Sequence, residues 1–476
     1  MMRSMFSAVS GLKAHQLRMD VIGNNIANVN TVGYKGSRVT FQEVFSQTLR
    51  GAGAPQAGRG GTNPQQVGLG INVASMDTFH IRGAVERTDY NTDLMINGEG
   101  FFIVSNDANF LNRSYTRAGS FALDEAGNLV TPEGLRVLGY MYDAETGRMG
   151  TAMEGLQISR GMSYPAMSTG VPSNNDGTLI EAGATIPNGV TFDGNLNADT
   201  KVYAGAAGTP PTFTIPAEGA DGYPLRIDDL LDDDNKSAVA RDTTFTVYDE
   251  LGGTHEVRLA FVKVAPNRYE VCVVNKEGVL SSEVPPHTIL FDSNGKIIDD
   301  DANGNDGIVM TLVRRGEGDP PLLDNGARPF TFNINLGQLT QFSNESDASA
   351  SDIRGFKQGS LDTFAIDSNG VITGYFTNGQ MRPVGQVALA NFRNPAGLEK
   401  AGNNLYRVTP NSGEPLVGNP GTGGRGALNP GALEMSNVDL SREFTDMITT
   451  QRGFQANSRI ITTSDEMLQE VVNMKR

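Results

Sequence analysis

Residues 440–472, LSREFTDMITTQRGFQANSRIITTSDEMLQEVV, set Leu440, Met447, Phe454, Ile461 and Leu468 at intervals of seven. Phe444, Ile448, Val471 and Val472 widen the row. A seven-residue repeat keeps one narrow apolar seam on an α-helix, the pattern of a helix packed lengthwise against another. The opposite end of the chain repeats the device, with Met5, Leu12, Met19 and Ile26 also spaced by seven. A second row there begins at Met2 and Val9, becomes polar at Gln16 and reaches Gly23. Periodicity by itself fits ordinary amphipathic core helices equally well. Two features favour pairing of the ends with each other and with other copies: the seams are narrow, and they occupy both extremes of a long chain. Helices of this kind are marginal alone, so the ends are expected to order on assembly. Asn437 or Ser436 is placed to cap the C-terminal helix, with Asp439 near the positive end of its dipole.

Moving inward, residues 23–45 read GNNIANVNTVGYKGSRVTFQEVF, where Asn24, Asn25, Asn28 and Asn30 with Gly23, Gly33 and Gly36 end the helix and force turns. Residues 51–70, GAGAPQAGRGGTNPQQVGLG, lack periodicity and read as a loop or linker. Short strands follow to Gly155. Asp124–Asn128 separates Phe121 and Leu123 from Leu129 and Val130 as a hairpin loop does. Residues 355–409 behave alike around Asp367-Ser368-Asn369-Gly370. Between these β segments, Phe245 and Val247, then Val257, Leu259 and Phe261, then Tyr269, Val271 and Val273 keep a period of two, which predicts a meander or sandwich.

The chain has 476 residues, enough for about three domains. A formal charge of −16 argues against a nucleic-acid binder, which needs a basic face for phosphates. No apolar run reaches the length of a membrane span, so no insertion is expected. The N-terminus lacks the apolar core of a secretory signal peptide.

Little in the sequence points to catalysis, and neither cofactor nor metal is expected. Asp299, Asp301, Asn303 and Gly304 reproduce half of a calcium loop, but the position for a bidentate Glu holds Met310. A turn between strands is the simpler reading. His15, His80, His255 and His287 are scattered, and no phosphate loop or serine elbow occurs. Cys272 is the only cysteine, which excludes an internal disulfide and reads as a small apolar strand residue.

Three motifs carry a resemblance. Asn24-Asn25-Ile26-Ala27-Asn28-Val29-Asn30-Thr31 followed by Gly33-Tyr34-Lys35 resembles the N-terminal signature of bacterial flagellar axial proteins. Tyr115-Thr116-Arg117-Ala118-Gly119-Ser120-Phe121 through Gly127-Asn128-Leu129-Val130 resembles the rod and hook subset of that family. Glu434-Met435-Ser436-Asn437-Val438-Asp439-Leu440 and Gln451-Arg452-Gly453-Phe454-Gln455-Ala456-Asn457 are similar to the closing helix of the subset. The resemblance spans roughly 1–155 and 345–476, and the large central insertion favours its hook members over the shorter rod members.

The resemblance implies a mixed α and β fold. Terminal helices would form a coiled-coil-like inner domain, with nested, mainly antiparallel β domains outside it. The expected divisions are 1–70 (N-terminal helix and linker), 71–155 (β domain, first arm), 156–350 (inserted outer part), 351–430 (β domain, second arm) and 431–476 (C-terminal helix). The implied function is a structural subunit of a curved tube that transmits torque as a universal joint. A rod protein with an unusual insertion and a surface β adhesin are the alternatives. Implied partners are further copies in a helical homopolymer, rod and hook–filament junction proteins, a hook cap and the flagellar type III export apparatus. The implied location is the extracellular hook, reached without a cleaved signal. Expected assembly residues are Met5, Leu12, Met19, Ile26, Leu440, Met447, Phe454, Ile461 and Leu468. The resemblance also raises a covalent bond from Cys272 to a lysine of a neighbour as an alternative role for that residue.

Overall fold

The computed structural model describes residues 2–55, 58, 60–143, 146–173, 179–181, 185–203, 236–274, 279–280, 287–298, 307–313, 323 and 325–474. It is mostly β, with a long helix at each end, and divides into two compact units. The first comprises 1–160, 362–375 and 381–476; the second comprises 161–361 and 376–380.

In the first unit, α1 (Met2–Ala27) and α2 (Leu440–Asn473) lie side by side. Arg18 meets Asp446 and Asn25 meets Glu443, while Gly11 lies against Asn457, so the helices run antiparallel. The helix stop differs from the expectation, because α1 continues through Gly23, Asn24 and Asn25. Asn28 then closes it, donating from Nδ2 to the Asn24 carbonyl (2.9 Å). The cap of α2 also differs. Asp439 itself is the N-cap and accepts from the backbone N–H of Ser441 and Arg442. Its carboxylate thus answers both the open N–H groups and the dipole. Asn437 instead receives the Gly36 N–H (2.8 Å) and donates to the Phe79 carbonyl (2.8 Å).

The presumed linker carries structure. Ser37–Glu43 pairs antiparallel with Ile71–Thr78, and Ser46–Arg50 with Gln65–Gly68. The strand at 65–68 falls inside the Gly- and Gln-rich stretch, where partner pairing rather than side-chain propensity makes the strand.

The body of this unit pairs strands from both halves of the chain. Phe101–Ser105 borders Arg113–Thr116, Arg136–Asp143 and Leu389–Asn391. Leu94–Asn97 pairs with Ala427–Pro430, and Val85–Arg87 with Ala432–Glu434. Phe101, Ile103, Tyr115, Leu138, Phe392 and Tyr406 form the core between them. Ala122–Leu123 and Leu129–Val130 make the expected hairpin, with the Asp124 carboxylate receiving the Asn128 N–H (2.7 Å) and Gly127 at φ 84°.

In the second unit, Val239–Tyr248, Thr254–Ala265, Arg268–Val274 and His287–Leu290 form an antiparallel meander. A second sheet contains Gly307–Val313, Phe330–Phe342, Asn188–Asn197 and Ser349–Ile353, with 188–197 parallel to 330–342 and the other pairs antiparallel. Phe192, Phe330, Phe332 and Ile334 of this sheet share one core with Val247, Leu259, Phe261 and Tyr269 of the meander.

Candidate assembly surface and the junction at its base

On α2 the half-buried positions keep the seven-residue step. Met447, Phe454, Ile461 and Leu468 are all partly covered, whereas Leu440 in the first turn is exposed. Half a repeat away runs a polar row, Glu443, Thr450, Asn457 and Ser464, in which Thr450 and Ser464 are fully buried. On α1, Met5, Leu12, Met19 and Ile26 are only partly covered. The buried positions are Ala8, Gly11, Ala14, Ile22 and Asn25. Small side chains at Ala8, Gly11 and Ala14 are therefore covered together with Ile22 and Asn25, while the expected larger apolar row is only half-covered. The Ala8, Gly11, Ala14 spacing of three was the overlooked signal. Outside the pair, Met2, Phe6, Val9, Phe444, Ile448, Ile460, Met467, Val471 and Val472 are exposed.

Beneath the helices the three sequence motifs meet at one carboxylate. Glu434 accepts from Lys35 Nζ (2.6 Å) and Arg117 Nη1 (3.4 Å), and all three side chains are at most 3% exposed. The Gly83 N–H also donates to Glu434 Oε1 (2.9 Å), and the Gly33 N–H donates to the Glu434 carbonyl (2.7 Å). Gly33 must be glycine twice over. Its φ is 70°, and a Cβ there would lie 2.6 Å from the Ala118 nitrogen. Tyr34 donates to Asn25 Oδ1 (3.2 Å), and Lys400 Nζ donates to the Lys35 carbonyl (3.3 Å). Burial lowers the pKa of both Lys35 and Arg117, and Glu434 opposes that shift in each.

His80 stands edge-on to Phe101 and Tyr406. Burial, followed by the charges of Arg117, Lys35 and Lys400, pushes its pKa down to about 4. Sequence reasoning missed this cluster because its members lie far apart in the chain, and the motifs marked them only as a resemblance.

Among the described residues no three His, Cys, Asp or Glu side chains group as a metal site would need. His15 lies on Gly453 and beside Phe41, and His255 Nε2 is 3.0 Å from Asp249 Oδ2 in the second unit. Cys272 pairs with Ala260 in the meander register. Residues 299–306 lie outside the described residues, and Met310 is a buried member of the strand Gly307–Val313. A cleft of about 430 Å³ in the first unit is lined by Asn28, Thr31, Thr116, Ser120, Glu133 and Asn404 among others. Glu133 is the one titratable side chain in that lining, so no acid–base pair assembles there.

Known proteins resemble the chain along its length. The family described as flagella basal body rod protein matches residues 5–35, and the flagellar hook protein FlgE/F/G D1 domain matches 95–204. The flagellar basal body protein FlaE D2 domain matches 221–356, and the flagellar basal body rod FlgEFG protein C-terminal region matches 429–474. The flagellar hook protein FlgE of Borreliella burgdorferi is 38% identical, with all of both chains covered. The hook protein of Treponema pallidum is 37% identical, again over both whole chains. That of Escherichia coli is 33% identical over 98% of this chain and 99% of its own. Identity of this extent over the full length shows that the chain belongs to the flagellar hook protein family.

Proposed function

We propose that the chain is the structural subunit of the flagellar hook, polymerising into a curved tube that passes motor torque from rod to filament. One observation carries the assembly step: the helix pair leaves Met2, Phe6, Val9, Phe444, Ile448 and Met467 in water. Burying such rows against neighbouring copies supplies the driving force for a polymer, and ordered ends follow by mass action. Met5, Leu12, Met19, Ile26, Met447, Phe454, Ile461 and Leu468 brace the pair in this scheme, and Leu440 faces the neighbours.

The helices form an inner, coiled-coil-like layer around the channel. The β segments 71–155 and 351–430 form one nested domain, and 156–350 lies outermost. Heterologous contacts between identical subunits generate an open helix rather than a closed ring. Outer contacts that slide while inner ones hold would let the tube bend as it turns. Rod, hook–filament junction and hook-cap proteins are the partners in this scheme. Export runs through the flagellar type III apparatus without signal cleavage, and no cofactor takes part.

Immunogold electron microscopy with antibody against residues 190–340 tests the assignment. Label on the short curved segment outside the envelope is expected. Label confined to the rod would identify a rod protein instead, and label spread over the cell surface would reopen the adhesin alternative.

A further inference from the structure

Three glycines lie inside the terminal helices, and their surroundings differ. A Cβ at Gly23 would meet nothing within 4 Å. A Cβ at Gly453 would fall 2.8 Å from both Cε1 and Nε2 of His15, and one at Gly11 would fall 2.6 Å from Asn457 Nδ2. Two of the three glycines are thus filled sockets. The plugs cross the pair reciprocally, with His15 of α1 seated on α2 and Asn457 of α2 seated on α1. The His15 ring is the stiffer plug. Its edge packs on Phe41 (centroids 5.7 Å apart) and its Nδ1 is buried without a hydrogen-bond partner. Asn457 ends in an amide that can turn aside.

We propose that the Gly453 socket and the His15 plug set the register of α1 against α2, and so decide which apolar side chains the pair presents to other copies. The proposal rests on the assembly reading above. A slide by one turn would drive the ring into a side chain instead of a gap, which a close-packed seam does not absorb. In the polar row on α2, Glu443 accepts from Asn25 across the pair near its end, whereas Thr450 at its middle bonds to the Asp446 carbonyl of its own helix.

The test uses the full chain and compares Gly453→Ala, His15→Ala, the double variant and Gly23→Ala. Helix propensity alone makes both glycine replacements favourable. The socket predicts the opposite at one of them. Amide-exchange protection around residues 450–457 should fall about tenfold in Gly453→Ala and recover in the double variant, while tube yield should fall in Gly453→Ala, His15→Ala and the double variant alike, because none of them keeps plug and socket together. Gly23→Ala should match the unsubstituted chain or exceed it. Equal behaviour of Gly453→Ala and Gly23→Ala would overturn the socket, as would protection in the double variant no better than in Gly453→Ala, and full tube yield from His15→Ala or the double variant would overturn its role in register. Exchange is followed on tubes, or on the dissolved chain if none form. Failure of the unsubstituted chain to make tubes counts against the assembly reading, while exchange still judges the socket. An unsubstituted chain lacking protection in both states overturns it as well.

Discussion

Glu434 Oε1 lies 2.6 Å from Lys35 Nζ, with neither side chain exposed, although 399 residues separate them in the chain. One carboxylate serves two buried cations there, so each of the three groups depends on the others. Removing one member of a buried pair strands the remaining charge, which costs more than the pair itself contributes.

Glu434→Gln is therefore expected to destabilise the first unit by about 3–5 kcal/mol. Denaturant unfolding should show an early transition for that unit and an unchanged one for the meander and its partner sheet. An unchanged first transition would mean that the charges find water.

Arg18→Ala provides the contrast. The Arg18–Asp446 pair spans 3.1 Å, but both side chains are about a third exposed. Solvent screening limits its loss to about 1 kcal/mol or less. The same unfolding assay, run at low and high salt, should detect little in either.

His80 makes the first unit acid-sensitive. Its imidazole stays neutral in the folded chain down to about 4, whereas an unfolded one takes a proton near 6.5. Between those values the unfolded state binds more protons. The histidine's stabilisation is thus complete above 6.5 and is lost as pH falls toward 4, by roughly 3 kcal/mol in all. His80→Phe keeps a ring against Phe101 and Tyr406 but cannot titrate. The difference in unfolding free energy between variant and parent should therefore change with pH inside that window and be flat above it.

Phe454→Asp should abolish tube formation, because a carboxylate would enter the half-covered row of α2. Sedimentation reads the assembly. The thermal transition of the second unit, whose core holds Phe332 and Tyr269, should not move. Normal tubes from this variant would defeat the role given to the row.

What was legible in the sequence had a local period. The α2 row was readable because Met447, Phe454, Ile461 and Leu468 repeat within one helix, and the meander because Val257, Leu259 and Phe261 alternate. The contact face of α1 was not. Ala8, Gly11 and Ala14 are buried yet carry almost no hydropathy signal, and at Gly11 the Asn457 side chain leaves no room for a Cβ. The strand at Gln65–Gly68 was hidden for a related reason, since its partner at Ser46–Arg50 supplies the order its own composition lacks. Asp439 was placed near the dipole but not recognised as the cap, since neighbouring Asn437 and Ser436 suit that position equally by residue type. The junction was beyond reach, because no sequence rule joins Lys35, Arg117 and Glu434 across such separations.

That separation also imposes an order of events on folding. The second unit draws nearly all its strands from the continuous stretch 161–361, and its pairing of 188–197 with 330–342, 145 residues apart at Asn188 and Asn333, closes a shorter loop than the 399 residues from Lys35 to Glu434. Lys35 and Arg117 must wait for Glu434, and α1 for α2, so the first unit closes the longest loop in the molecule. Long loops close late because their entropy must be lost before any contact repays it. A chain cut short before residue 434 would keep its middle and lose its ends, leaving it unable to join a growing tube. The buried carboxylate thus ties closure of the first unit to a residue 399 positions beyond Lys35.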